Sequence, residues 1–197
     1  KKEVQSAFFI ALGTLIKLYG IVGLAFFFFT QNKFKFILGG LAAFLVLFVL
    51  PMAISSPAFI LQSYQDWYQS LSHKNSLNAS LTSFQDISLM GMARRISGDV
   101  TILNGPFLIG GLILFALPYF RIKQYKNLGF QLMLLASTLI FTVIFSSGSE
   151  SPTYIIAFAG VAIWFIVQPK SAWIIALFVF AFLLTSLSPT DIFPRSI

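Results

Sequence analysis

The sequence predicts an all-α fold of several membrane-spanning helices, and three observations carry that expectation. The chain of 197 residues is 57% hydrophobic, holds 24 Phe and has only 10% charged residues, more apolar surface than a water-soluble core of this length could hide. Its apolar runs are continuous, whereas a barrel strand would alternate apolar and polar residues over about ten positions. Its cations collect in short stretches between those runs, the pattern that orients membrane helices.

The same composition excludes several functions. A net charge of +7 would suggest nucleic acid as partner of a soluble protein, but here it is a topology signal, so no nucleic acid is expected. Without Cys there is no disulfide framework and no thiolate metal site, and the lone His73 cannot build a metal cluster. No metal and no cofactor are expected. The chain opens Lys1-Lys2-Glu3 with no Met and no cleavable signal peptide, so residues 1–197 read as one transmembrane domain, the C-terminal portion of a longer chain.

The first apolar stretch, residues 7–29, is interrupted at Lys17 and Gly20. A Lys in mid-span costs roughly 2.5 to 3.5 kcal/mol unless it snorkels or faces a polar cavity. Two readings stand: one span with Lys17 turned inward, or two half-helices that meet near Lys17 and return to the side they came from. Residues 36–54 form a clear span, with Pro51 as its kink or end. Further spans follow at 102–120, carrying Asn104, Pro106 and Pro118, then at 128–145, 152–167 and 172–187.

Alternation through these spans sends Lys33, Lys35, Arg121, Lys123, Lys126 and Lys170 to one side without an acidic residue, which marks that side as cytoplasmic. The long polar interval 55–101, the loop 146–151 and the tail 191–197 then fall on the extracytoplasmic side. In the interval, Ile60, Tyr64, Trp67, Tyr68 and Leu71 recur at helical spacing and predict an amphipathic helix lying on the membrane surface. Lys74 to Thr82 reads as an Asn- and Ser-rich loop. A second short helix is predicted with Ser83 as N-cap, Asp86 three residues on, Arg94 and Arg95 in its last turn and Gly98 beyond. Gln85, Ser88 and Arg95 share one stripe of it.

Any chemistry in this chain falls to the polar interval and its surroundings. Adjacent Arg94 and Arg95 suit a phosphate or pyrophosphate, or they complement a helix C-terminus and touch headgroups. Lys17 reads as an intramembrane cation facing an anionic lipid, or as a snorkelling side chain. Asp86 is a base or sugar ligand, or a helix cap, and Glu150 is the same or a solvated loop charge. Trp67 stacks on a sugar ring, or it belongs to an interfacial aromatic belt. Asn78-Ala79-Ser80 matches a glycosylation acceptor.

Three places in the sequence resemble glycosyltransferase family 87, the polytopic mannosyl- and arabinofuranosyltransferases of the GT-C superfold. Ala11-Leu12-Gly13-Thr14-Leu15-Ile16-Lys17-Leu18-Tyr19-Gly20 is similar to a small-residue helix ending in Lys. Trp67, then Ser88-Leu89-Met90-Gly91 and Arg94-Arg95, resembles the family's extracytoplasmic loop. Ser146 to Tyr154 lies where many members have a Ser-Pro-x-Ser-Trp turn with His, although here Glu150 stands in the place of Trp and no His is present.

The resemblance implies a GT-C-like fold in the bacterial inner membrane and inverting transfer of a mannose- or arabinofuranose-type sugar. The donor would be a polyprenyl-phosphate sugar, the acceptor an extracytoplasmic glycan or glycolipid, and membrane lipids the surroundings. It also implies that the catalytic Asp, the general base on the acceptor hydroxyl, lies upstream of this chain, which alone would be inactive. Substrate-binding roles would then fall to Lys17, Trp67, Gln85, Asp86, Ser88, Arg94, Arg95, Glu150 and Tyr154. Two alternatives stay open: a non-enzymatic transporter, flippase or scaffold subunit, and a polymerase or ligase of surface polysaccharide. Few polar groups lie in mid-span, beyond Lys17, Asn104 and Gln131, and a transporter would need paired ones.

Overall fold

A computed structural model describes residues 2–78, 80–81 and 86–187. Among them the chain is helical, with no strand, as the continuous apolar runs predict. It divides into two compact units, Lys1–Ser72 and His73–Ile197.

In the first unit, helix α1 (Lys2–Ile16) ends where Lys17 turns to extended backbone, φ −151° and ψ 126°. The chain then comes back antiparallel as a 3-10 segment, Leu18–Phe29. A Cβ on Gly20 would collide with the backbone of Gly13 and Thr14, and one on Gly23 would lie 2.7 Å from the Ile10 side chain. The two legs therefore touch backbone to backbone through small residues. Of the two readings of residues 7–29, this is the hairpin of half-helices. Fifteen α-helical residues rise about 22 Å and twelve 3-10 residues about 24 Å, so the legs match in length, and both fall short of a ~30 Å hydrocarbon core.

Asn32 caps α2 (Lys33–Val49), its side-chain oxygen accepting from Lys35 N at 2.9 Å. Gly39 and Gly40 of α2 pack on Val4 and Ala7 of α1, and Phe27 meets Phe36 at 5.7 Å. Pro51 tightens the end of α2 into a 3-10 turn, Leu50–Ala53. Together Lys33–Ala53 is 21 residues holding an 18-residue window of mean hydropathy 2.5, the one helix among the described residues long and apolar enough to cross a membrane. Leu41, Leu45 and Val46 stay some 60% exposed, so this helix turns its apolar surface outward.

Helix α3 (Pro57–Asn78) runs further than the sequence suggests. Lys74, Asn75 and Asn78 are helical and not loop, because their side chains are tied to the turn at residues 147–150. At its start, Tyr64 stacks on Phe48 at 4.3 Å and donates to the Phe48 carbonyl at 2.8 Å.

The second unit is built on α6 (Leu128–Ile144) and α7 (Tyr154–Val167). Gly160 presses on the Ala136 carbonyl and Ile140, and Leu134, Ala136, Val143 and Ala157 are buried. Thr138 and Thr142 are buried too, and each hydroxyl donates to a carbonyl four residues back, so neither leaves a polar group unmet. Phe165 stacks on Phe178 to attach α8 (Ala172–Phe182).

Helix α5 (Asn104–Ala116) meets α6 where the Phe145 ring seats on Gly111 and where Phe115 lies 5.0 Å from Phe141. Its apolar surface also faces out, with Ile109, Ile113 and Leu114 at least 60% exposed. The apolar helices other than Lys33–Ala53 are shorter, 10–17 residues each.

Candidate functional site

The polar interval forms a cluster around a nine-residue helix, α4 (Leu89–Ser97). Its N-cap is Ser88, not Ser83, which lies outside the described residues. Ser88 Oγ accepts from Gly91 N at 3.2 Å. At the other end, the expected Gly98 closes the helix in the left-handed region, φ 70°, where Gly alone carries no steric cost.

Asp86 is 1% exposed and does not cap the helix itself. Its Oδ1 accepts from Ser88 Oγ at 2.5 Å and from Ser88 N at 3.3 Å, and its Oδ2 pairs with Arg94 Nη2. Arg94 is equally buried, and its Nη1 donates to the Ile102 carbonyl at 3.0 Å and to Asn104 Oδ1 at 2.8 Å. A Cβ on Gly91 would run into the Asp86 carbonyl and carboxylate, so only Gly lets α4 approach this closely. Two buried charges survive when they are paired with each other and further hydrogen-bonded, and here no buried side-chain nitrogen or oxygen among the described residues lacks a partner.

Arg95 lies one residue on and behaves differently. It is exposed, and its Nη1 donates to the Asp86 carbonyl at 2.6 Å. Tyr154 Oη donates to the Ile87 carbonyl at 2.5 Å, while Ile87 N donates to the Ser149 carbonyl at 3.1 Å. Residues 86–88 are thereby held between α4 and the α6–α7 turn. That turn is itself fixed: Ser149 is fully buried and donates to the Val143 carbonyl.

Glu150 sits on the rim of the same turn, paired with Lys74 at 2.8 Å. Asn75 Oδ1 accepts from Ser147 Oγ at 2.6 Å, and Asn78 Nδ2 donates to the Ser147 carbonyl at 3.1 Å. Beyond α4, Asp99 accepts from Thr101 N and Oγ1 at 2.8 and 2.7 Å, and these bonds hold its carboxyl below the ordinary 3.8.

The structure thus brings Asp86, Ser88, Arg94, Arg95 and Tyr154 into one cluster, with Glu150 at its rim. Gln85 lies outside the described residues, as does Ala79 of the glycosylation triplet. Lys17 and Trp67 belong to the other unit. Lys17 is exposed, with its Nζ 4.9 Å from the Tyr19 ring centre, and Trp67 is 41% exposed. Asn104, Asn78 and Ser149 join the site without having been expected as site residues; Asn104 carried a signal as a polar residue opening an apolar run, and Ser149 lies in the 146–154 stretch that resembles the family's late turn. Among the described residues, no three His, Asp or Glu side chains come together.

Apolar helices joined to one rigid, arginine-bearing polar platform fit a glycosyltransferase, and a family model of such enzymes matches residues 1–147. The family is glycosyltransferase family 87, and the chain belongs to it. Its members are membrane proteins acting on a sugar donor and an acceptor. No curated protein and no solved structure matches the chain.

Proposed function

We propose that this chain is part of a multi-span inner-membrane enzyme that moves a mannose- or arabinofuranose-type sugar from a polyprenyl-phosphate donor to an extracytoplasmic glycan or glycolipid. The family match over 147 of the 197 residues carries the reading. Outward-facing apolar side chains on α2 and α5 support placement in lipid, although among the described residues only Lys33–Ala53 is long and apolar enough to cross by itself. The basic segments at 33–35 and 121–126 support an extracytoplasmic platform.

Within the platform, Arg94 is the internal tie and Arg95 the residue that meets the donor phosphate. An exposed guanidinium stabilises a departing phosphate electrostatically. Asp86 and Ser88 set its position, and Tyr154 and Glu150 border the acceptor side. Lys17 and Trp67, in the other unit, are assigned to the lipid chain on their residue type alone. Gln85, which lies outside the described residues, is kept as a donor-binding residue on its sequence alone.

The test is transfer of labelled sugar from polyprenyl-phosphate mannose or arabinofuranose by membranes carrying the full-length protein. Arg95→Ala should lower transfer about tenfold or more, the effect of one charge-assisted hydrogen bond, with the protein level unchanged. Unchanged transfer would remove Arg95 from the phosphate site. Absence of transfer from any lipid-linked donor, with the protein inserted, would favour a transporter or scaffold subunit.

A further inference from the structure

The two ends of the α5–α6 pair are built differently. At one end the helices close on each other through Gly111 with Phe145 and Phe115 with Phe141. Toward the other they part around a cavity of about 730 Å³, walled by Leu114, Leu117, Phe130 and Met133 and bordered by Arg121 and Lys123. The connecting segment is rigid. Tyr125 Oη donates to the Tyr119 carbonyl and Gln131 Nε2 to the Tyr125 carbonyl, both at 2.7 Å, and Asn127 caps α6.

The segment's polar side chains divide by role. Tyr125, Asn127 and Gln131 are used to hold the turn, whereas the side chains of Arg121 and Lys123 are exposed and have no hydrogen-bond or ion-pair partner among the described residues. In this unit the described carboxylates, Asp86, Asp99 and Glu150, belong to the α4 platform and its turn, at the far ends of α5 and α6. Two uncompensated cations over an apolar cavity match one chemistry: a phosphate-bearing headgroup with an acyl chain below it.

We propose that this cavity is a binding site for an anionic glycerophospholipid of the membrane leaflet opposite the sugar-transfer platform. Arg121 and Lys123 hold the phosphate, and the acyl chain lies along Leu117, Phe130 and Met133. The inference rests on the membrane placement proposed above, not on the identity of the sugar donor. The site differs from the donor site in location and in the charge it leaves unmet.

The experiment uses full-length protein in nanodiscs of phosphatidylcholine doped with phosphatidylglycerol, followed by native mass spectrometry of the lipids retained after release. Wild type should retain phosphatidylglycerol over phosphatidylcholine, and Arg121→Gln with Lys123→Gln should reduce that preference about thirtyfold, the loss expected for two interfacial cations. Ser137→Trp, which fills the cavity from α6 and leaves both cations in place, should lower total retention. Lys126→Gln, a cation of the same segment outside the cavity lining, should change neither.

Equal preference in wild type and the double variant overturns the site. So does a Lys126→Gln effect as large, which would mean unspecific surface charge. Recovery of the protein in the carbonate-soluble fraction sinks this proposal together with the membrane placement, whereas an inserted protein without lipid preference sinks this proposal alone. Lipid preference retained in a protein without sugar transfer sinks only the proposed activity.

Discussion

Two ion pairs flank the α6–α7 turn, and they illustrate opposite uses of charge. Asp86–Arg94 is sealed, with side chains 1% and 4% exposed, and both side chains make further hydrogen bonds, to Ser88 and to Asn104. Lys74–Glu150 has a similar chemical make-up but lies in the open, at 53% and 36%. The first costs desolvation that only complete pairing repays, so it acts as an all-or-none part of the fold. The second is screened by solvent and contributes little by itself. The difference teaches where in this loop charge is architecture and where it is available for chemistry, and it separates Arg94 from its neighbour Arg95.

The largest effect expected from this contrast is at the sealed pair. Asp86→Ala or Arg94→Ala leaves one buried charge alone and should cost about 3–5 kcal/mol, read as a fall in the unfolding midpoint of the detergent-solubilised protein. Replacing both, Asp86→Leu with Arg94→Met, should recover most of that loss. If the single variants unfold like wild type, the pair is not sealed and the contrast fails.

At the open pair, Lys74→Gln should cost roughly 0–1 kcal/mol and lose even that in high salt. A loss matching that of Asp86→Ala would erase the distinction between the two pairs.

The smallest effect is at Asp99. Its carboxyl is lowered from 3.8 by the bonds from Thr101, so its contribution to stability is complete above that ordinary value and disappears as pH falls through the lower, folded one. Asp99→Asn should therefore flatten a slight decline in the unfolding midpoint below about pH 4, and leave the curve near neutral pH unchanged. A variant curve parallel to wild type throughout would mean that the Thr101 bonds do not persist in solution.

Features governed by near neighbours were legible in the sequence. Pro51 ends α2 as its missing N–H requires, and Gly98 closes α4 where only a left-handed residue fits. The break at Lys17 was visible as a charge in an apolar run, while its direction depended on Gly13 and Gly20 meeting, which no local pattern specifies. The α4 boundary was misread because Ser83 with Asp86 imitates a capping pair, whereas Asp86 is drawn to Arg94 and leaves capping to Ser88.

The extension of α3 to Asn78 was hidden for a related reason. Asn and Ser disfavour a helix locally, and the bonds that offset this reach a turn some seventy residues away. Arg94 and Arg95 look alike in sequence. Only the packing of Gly91 on Asp86 decides which of them goes inside.

The hairpin of residues 2–29 has a consequence for how the chain comes into being. At its bend, Lys17 N donates to the Gly13 carbonyl at 2.8 Å and Gly20 N to the Lys17 carbonyl at 3.0 Å, so the turn's own amides are met from within. Its contacts join positions such as 10 with 23 and 13 with 20, short loops that close quickly and at little entropic cost. Everything this element needs is therefore available once its thirty residues have left the ribosome. The tie between α3 and Ser147 must wait until α4, α5 and α6 have followed, which makes the hairpin an early-forming unit in biosynthesis and the polar platform a late one.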